Sequence, residues 1–175
     1  LTWNVHGCVG RSGRFDPDTV IDHLRSIDPD IAALQEVDAR PALAGPMDTF
    51  VHLAETLGRH VLSARTLTAP GGDYGHLLLS RWPLSDCREL DLSVPGREPR
   101  AALAATVDAP GCELKVLAAH LGLRARERAT QIGRIRRAIS SWGDAPGVVL
   151  GDFNEWRRRG LADRRLCPPL RAAAT

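Results

Sequence analysis

The chain has 175 residues and a mass of 19.0 kDa, with 43% hydrophobic and 25% charged residues, a balance that excludes a disordered chain and sets one soluble globular domain as the expectation. No apolar run reaches the roughly 18 residues that a membrane-spanning helix needs. Net charge is +2, but six Arg and one Asp fall in 157–175, which leaves residues 1–156 at −3; a domain held to nucleic acid by bulk charge alone would be far more basic.

In chain order, Leu1–Val5 reads as a short buried strand followed by a glycine-containing loop to Phe15. Asp16-Pro17 then opens a helix, with Asp as N-cap and Pro in the first position, and Val20, Ile21, Leu24 and Ile27 make its apolar face. Ile31–Leu34 is an apolar strand running into Gln35-Glu36. A second helix is expected over Asp48–Leu57, with Phe50, Val51, Ala54 and Leu57 inward and Gly58 as its stop. From Arg59 to Val107, short apolar runs broken by Pro-Gly-Gly, Trp-Pro and Pro-Gly have the rhythm of antiparallel strands. A turn at Asp108–Gly111 leads into the strand Leu114–His120. Arg124–Ser141 has a helical period with Ala129, Ile132, Ile135 and Ile139 inward and its arginines, Arg128 among them, in solvent; Val148–Leu150 is a strand ending at Gly151-Asp152. After Trp156 no period is visible, so residues 1–156 are read as the domain and 157–175 as an irregular basic tail. Mixed parallel and antiparallel strands with helices between them imply sheets packed face to face and covered by helices, an α/β (α+β) architecture.

The four cysteines (Cys8, Cys87, Cys112 and Cys167) are far apart and belong to no CxxC or Cys/His cluster, so neither structural zinc nor a disulfide framework is expected. Four polar sites instead share one topology, each following an apolar strand at its carboxyl end: Asn4, Glu36, His120, and Asp152 with Asn154. In layered α/β folds ligands collect at that edge. Two carboxylates, two amides and one imidazole make an oxygen-rich set that suits a hard divalent cation and phosphoryl chemistry.

Five segments occur in order: Leu1-Thr2-Trp3-Asn4-Val5-His6-Gly7, Asp30-Ile31-Ala32-Ala33-Leu34-Gln35-Glu36-Val37, the Tyr74–Leu84 run beginning Tyr-Gly-His, Ala119-His120-Leu121-Gly122-Leu123, and Leu150-Gly151-Asp152-Phe153-Asn154-Glu155. Together they resemble the endonuclease/exonuclease/phosphatase superfamily of DNase I-like and exonuclease III-like proteins. The resemblance implies a two-layered β-sandwich flanked by helices and a Mg²⁺- or Mn²⁺-dependent hydrolase of phosphate esters. It also implies roles. Glu36 binds the metal with Asn4 beside it as ligand or support, Asp152 orients or deprotonates the attacking water, Asn154 holds that water or a phosphate oxygen, and His120 donates to the scissile phosphate. Tyr74, His76 (where the family often has Asn) and Arg100 are the candidates for substrate contact. His6 is read as supporting its loop.

The family pattern continues with a further strand-Asp segment and a Ser-Asp-His motif, whereas the last histidine of this sequence is His120. The fold is therefore expected without its C-terminal strands. The expected substrate is a phosphate ester, nucleic acid first. The alternatives are a phosphatase or phospholipid diesterase of the same superfamily, or a non-catalytic relative that binds metal and phosphate. No membrane span and no obligate protein partner are expected; the compartment is open, with the cytoplasm favoured.

Overall fold

Local chemistry sets the first helix. In the computed structural model, which describes residues 1–69, 72–157 and 160–172, Asp16 accepts from the Thr19 amide at 3.1 Å and Pro17 sits at the first position of α1 (Pro17–Ile27). Val20, Ile21 and Leu24 are buried as expected, but Ile27 is 57% exposed because it lies in the last turn, where Asp28 takes a left-handed conformation and turns the chain away. In the second long helix, α3 (Thr49–Leu57), Asp48 accepts from the Phe50 and Val51 amides, and Gly58 closes the helix at φ 58°. There the inward face is Thr49, Phe50 and Leu53, and Val51 points out. The reason is polar: the buried Thr49 hydroxyl donates to the Asp38 carbonyl at 2.7 Å and sets the rotation of the helix. Between them lies the four-residue α2 (Pro41–Ala44), too short to show a period in the sequence.

The strands are β1 (Thr2–Asn4), β2 (Ile31–Asp38), β3 (His60–Ala69), β4 (Gly72–Ser80), β5 (Leu84–Asp91), β6 (Ala101–Ala109), β7 (Cys112–His120) and β8 (Gly147–Asp152). They form two four-stranded sheets, ordered β1-β2-β4-β3 and β5-β6-β7-β8. The β1–β2 and β7–β8 pairs are parallel and the others antiparallel. Among the described residues no further strand lies beside β1 or β8.

Both faces of each sheet are covered, which explains the nearly continuous apolar runs. Ala33, Leu78, Leu103, Val107, Val116 and Ala118 pack between the sheets. The alternate residues Leu34, Leu77 and Leu79 face outward onto α1 and α3. On the far side, Ile132, Ile135 and Ile139 of α4 (Ala125–Ile139) cover Leu117, Ala119 and Leu121. The result is a helix–sheet–sheet–helix sandwich.

Two further departures concern the α4 side. Ala129 is only half-buried, and the first turns of α4 bury Glu127, Arg128 and Gln131 instead. Arg128, expected in solvent, is 9% exposed because its Nη1 donates to the carbonyls of Leu123 at 2.6 Å and Gly122 at 3.3 Å. The segment after Trp156 is not wholly irregular either. Its residues 161–166 form α5 (Leu161–Leu166), which packs on α4 through buried Leu166 and through Arg165, bonded to the Ala129 carbonyl. Fewer than two turns is too short for a helical period to register in sequence.

Candidate active site

The parallel pairs bring strand ends together. Asn4 lies opposite Gln35 and His120 opposite Asp152, so the carboxyl ends of β1, β7 and β8 meet at one edge of the sandwich. Glu36 would not reach that point from a regular strand. On β2 the register shifts between Leu34 and Val37, so that Gln35 and Glu36 together oppose His76 of β4. Glu36 has φ 59°, left-handed for a non-glycine residue. A bulge of this kind re-aims a side chain, and here it turns Glu36 toward Asn4.

The centre is a short polar network. Asn4 Nδ2 donates to Glu36 Oε1 at 2.7 Å and to Asp152 Oδ2 at 3.1 Å, which ties the two sheets together across the site. Asn4 Oδ1 accepts from the His6 backbone amide at 3.1 Å. Its oxygen is thus engaged by the following loop, and its nitrogen faces the carboxylates as a donor. His120 Nε2 is 3.9 Å from both Glu36 Oε1 and Asp152 Oδ2. Asn154 holds Asp152 from behind, its backbone amide donating to Asp152 Oδ1 at 2.8 Å, while its side-chain Nδ2 donates to the Leu121 carbonyl at 2.8 Å. His6, read from the sequence as loop support, also places Nδ1 3.4 Å from Glu36 Oε2. It is an additional site residue that only its closeness to Asn4 in the chain could have suggested.

Burial separates the remaining candidates. His120 is 4% exposed, and desolvation with help from the Arg100 charge depresses its pKa to about 4 against the pull of Asp152 and Glu36. It is therefore a neutral imidazole with one N–H to give. His76, expected at the substrate, is 3% exposed; burial first, then His120 and Arg100, lowers its pKa to about 3, and among the described residues its Nε2 has no hydrogen-bond partner. Arg100, also expected at the substrate, is 7% exposed and bound to Glu98 at 2.7 Å, so its charge reaches the site mainly as a field on His120. Burial and then the Glu36 charge raise the pKa of Tyr74, which stays a phenol. It lines a groove of about 450 Å³ with His6, Glu36, Asp38, Arg40 and Glu98. Arg40, absent from the sequence reading, is clamped by Asp38 and lies over the Tyr74 ring with its Cζ 5.5 Å from the centroid. A second groove of about 350 Å³ opens on the other side of Asn4 and includes Trp3, Asp152, Asn154 and Trp156.

Among the described residues no three His, Cys, Asp or Glu side chains gather into a metal cluster, and none of their Arg or Lys side chains is within ion-pair distance of Glu36 or Asp152. Two carboxylates sharing one amide donor are a hard-oxygen set. That set fits Mg²⁺, which is commonly held by one or two carboxylates and keeps water or substrate oxygens in its other positions. Glu36 and Asp152 are the residues able to hold it.

A mixed two-sheet sandwich with this edge site defines the class. The chain belongs to the endonuclease/exonuclease/phosphatase family, whose model matches residues 1–173. The uncharacterized protein YbhP of Escherichia coli K12 is 32% identical over 170 residues, covering 91% of this chain and 67% of the relative. Among solved structures, truncated Caenorhabditis elegans TDP2 superposes with a TM-score of 0.67 at 20% identity over 94% of this chain and 63% of the other. A mannosyl-6-phosphatase of Bacteroides thetaiotaomicron gives 0.70 at 14% identity over 96% and 69%. The chain thus spans about two thirds of the length of these relatives. No helix among the described residues is long and apolar enough to cross a membrane.

Proposed function

We propose that the chain is a divalent-metal-dependent phosphoesterase that hydrolyses phosphodiester bonds, with nucleic acid as its substrate. The observation that carries this reading is the convergence of Glu36 Oε1 and Asp152 Oδ2 on one nitrogen of Asn4. Two carboxylates at that spacing, with no Arg or Lys partner among the described residues, repel one another and call for a cation. Glu36, with Asn4 beside it, would hold Mg²⁺ or Mn²⁺, which when bound offsets phosphoryl charge and acidifies water.

The chain's own groups divide the remaining work. Asn4 fixes the two carboxylates relative to one another. Asp152, held at Oδ1 by the Asn154 amide, is the base that aligns the attacking water and takes its proton. Asn154, oriented by Leu121, keeps its amide oxygen available to that water. His120 donates its Nε2 proton to a phosphoryl oxygen, and its depressed pKa keeps it a neutral donor throughout the physiological range. Loss of one such donor in other enzymes costs about 2.7–4 kcal/mol in the transition state. Tyr74 and Arg40, which line the groove beside Glu36, would meet substrate there.

The test is hydrolysis of supercoiled DNA and of bis(4-nitrophenyl) phosphate with Mg²⁺, Mn²⁺ or EDTA, beside Asp152→Ala. Metal-dependent turnover that disappears in the variant is expected. Turnover that persists in EDTA, or in Asp152→Ala, would overturn the mechanism.

A further inference from the structure

The site is acidic at its centre, where Glu36 and Asp152 have no Arg or Lys partner among the described residues, whereas Asp38 and Glu98 of the adjoining groove are paired with Arg40 and Arg100. A substrate carrying several phosphates is repelled by such a surface unless attraction is supplied elsewhere, and binding energy from remote parts of a substrate can serve that purpose. A third concavity, of about 530 Å³, supplies the opposite charge. It lies between the β5–β6 connection and the first turn of α4, and Arg97, Arg124 and Arg126 line it beside Val94 and Thr130. All three arginines are exposed, and among the described residues none has an acidic partner. Arg59, Arg65 and Arg81, around the first sheet, are by contrast paired with Asp28, Asp48, Asp73 and Asp30, and what sets Arg97, Arg124 and Arg126 apart from other unpaired arginines is that the three line one concavity. The one acid lining the groove, Glu127, is 7% exposed, and its carboxylate packs on Gly122 and receives Gln131 rather than an arginine.

The groove is close to the chemistry. Arg124 is four residues beyond His120, a separation the chain can stretch to at most about 14 Å. Arg97 is three residues before Arg100, whose charge acts on His120.

We propose that Arg97, Arg124 and Arg126 form an anion-binding groove that grips backbone phosphates flanking the scissile one, so that the substrate is a nucleic-acid strand rather than a small phosphate ester. This rests on the phosphodiesterase reading above and adds to it a second, non-catalytic subsite. A single-phosphate ester bound at Asp152 lacks the further phosphates that the groove takes.

The test uses the full chain and the triple variant R97A/R124A/R126A. Binding of a fluorescein-labelled 20-nucleotide single-stranded DNA is followed in EDTA from 50 to 300 mM NaCl. The slope of log K against log salt should become less steep by about 2 in the variant, since each phosphate contact on a single strand contributes about 0.7. In Mg²⁺, the ratio of kcat/KM for the 20-mer to that for bis(4-nitrophenyl) phosphate should fall about tenfold or more, roughly half a kcal/mol per arginine. The double reversal R124E/R126E should lower both further, and thermal melting checks that the variants fold. An unchanged slope, or equal loss on both substrates, overturns the groove. So does arginine-dependent binding to phosphatidylserine vesicles without binding to the 20-mer. If the wild type turns over neither substrate, the phosphodiesterase reading fails while the slope in EDTA still decides the groove.

Discussion

Asn154 donates from its side-chain nitrogen to the Leu121 carbonyl at 2.8 Å, and Leu121 in turn donates its backbone N–H to the Asp152 carbonyl at 2.9 Å. The two loops that present His120 and Asp152 are thereby stitched to each other. Asn154 is also left-handed at φ 49°, a conformation Asn tolerates better than most residues. Asn154→Ala loses the bond and strains the turn, whereas Asn154→Gly loses only the bond. Both should reduce kcat about 100-fold or more. Leaving the Leu121 carbonyl unpaired costs about 1–3 kcal/mol, so Tm should fall by several degrees, more for Ala than for Gly. Steady-state kinetics with calorimetry reads both, and wild-type turnover in Asn154→Ala would contradict the assignment.

The paired carboxylates predict opposite effects of one substitution in two buffers. In EDTA, Glu36→Gln removes a negative charge from beside Asp152 and should leave Tm equal to or above that of the wild type. In 10 mM Mg²⁺ the wild type should gain stability, by about 2.7 kcal/mol if the ion is at 100 times its Kd, and the variant should gain little. Thermal melts with and without the ion are sufficient. Equal gains in both proteins would place the cation elsewhere.

Gly151 is irreplaceable on steric grounds. It sits at φ 140°, and a Cβ there would lie 1.8 Å from the Ala119 carbonyl oxygen on the neighbouring strand. That contact is with backbone in a parallel ladder, so no side-chain movement relieves it. Gly151→Ala should cost more than about 3 kcal/mol, seen as loss of soluble protein or a Tm lower by about 6–12 °C. A variant that melts like the wild type would show that the strand packs less closely than described.

Acid should destabilise the fold through His76. Its folded pKa of about 3 lies below the ordinary 6.5, so between those values the unfolded chain binds a proton that the folded chain refuses. The contribution is complete above pH 6.5 and is lost progressively as pH falls toward 3. Between pH 7 and pH 5 this corresponds to about 4–8 °C of Tm for a chain of this size. In His76→Asn, which does not titrate, the drop over that interval should be smaller by about this amount. Parallel curves for the two proteins would mean that His76 is protonated in the folded state.

Much of the site was legible because each of its residues closes an apolar strand: Asn4, Glu36, His120 and Asp152 stand where a hydrophobic run stops. Strand period and turn residues likewise revealed the antiparallel region and the caps at Asp16 and Gly58. Misassigned faces arose where a polar contact outweighed hydrophobic period, as at Thr49, which turned Val51 outward, and at Arg128, which exchanged water for two loop carbonyls. Helices as short as Pro41–Ala44 and Leu161–Leu166 carry too little pattern to be seen.

What the sequence determined by itself is therefore the class of fold and which polar side chains close its apolar strands, because these follow from local periodicity and residue types, and the family, because five motifs stand in order. Tertiary structure alone decided how those side chains are arranged. The bulge that swings Glu36 toward Asn4, the burial that withdraws His76 and keeps His120 neutral, and the gathering of Arg97 with Arg124 and Arg126 all depend on strand pairings or packing between segments distant in the chain. Register and desolvation are properties of neighbours across the fold, and a linear sequence does not contain them.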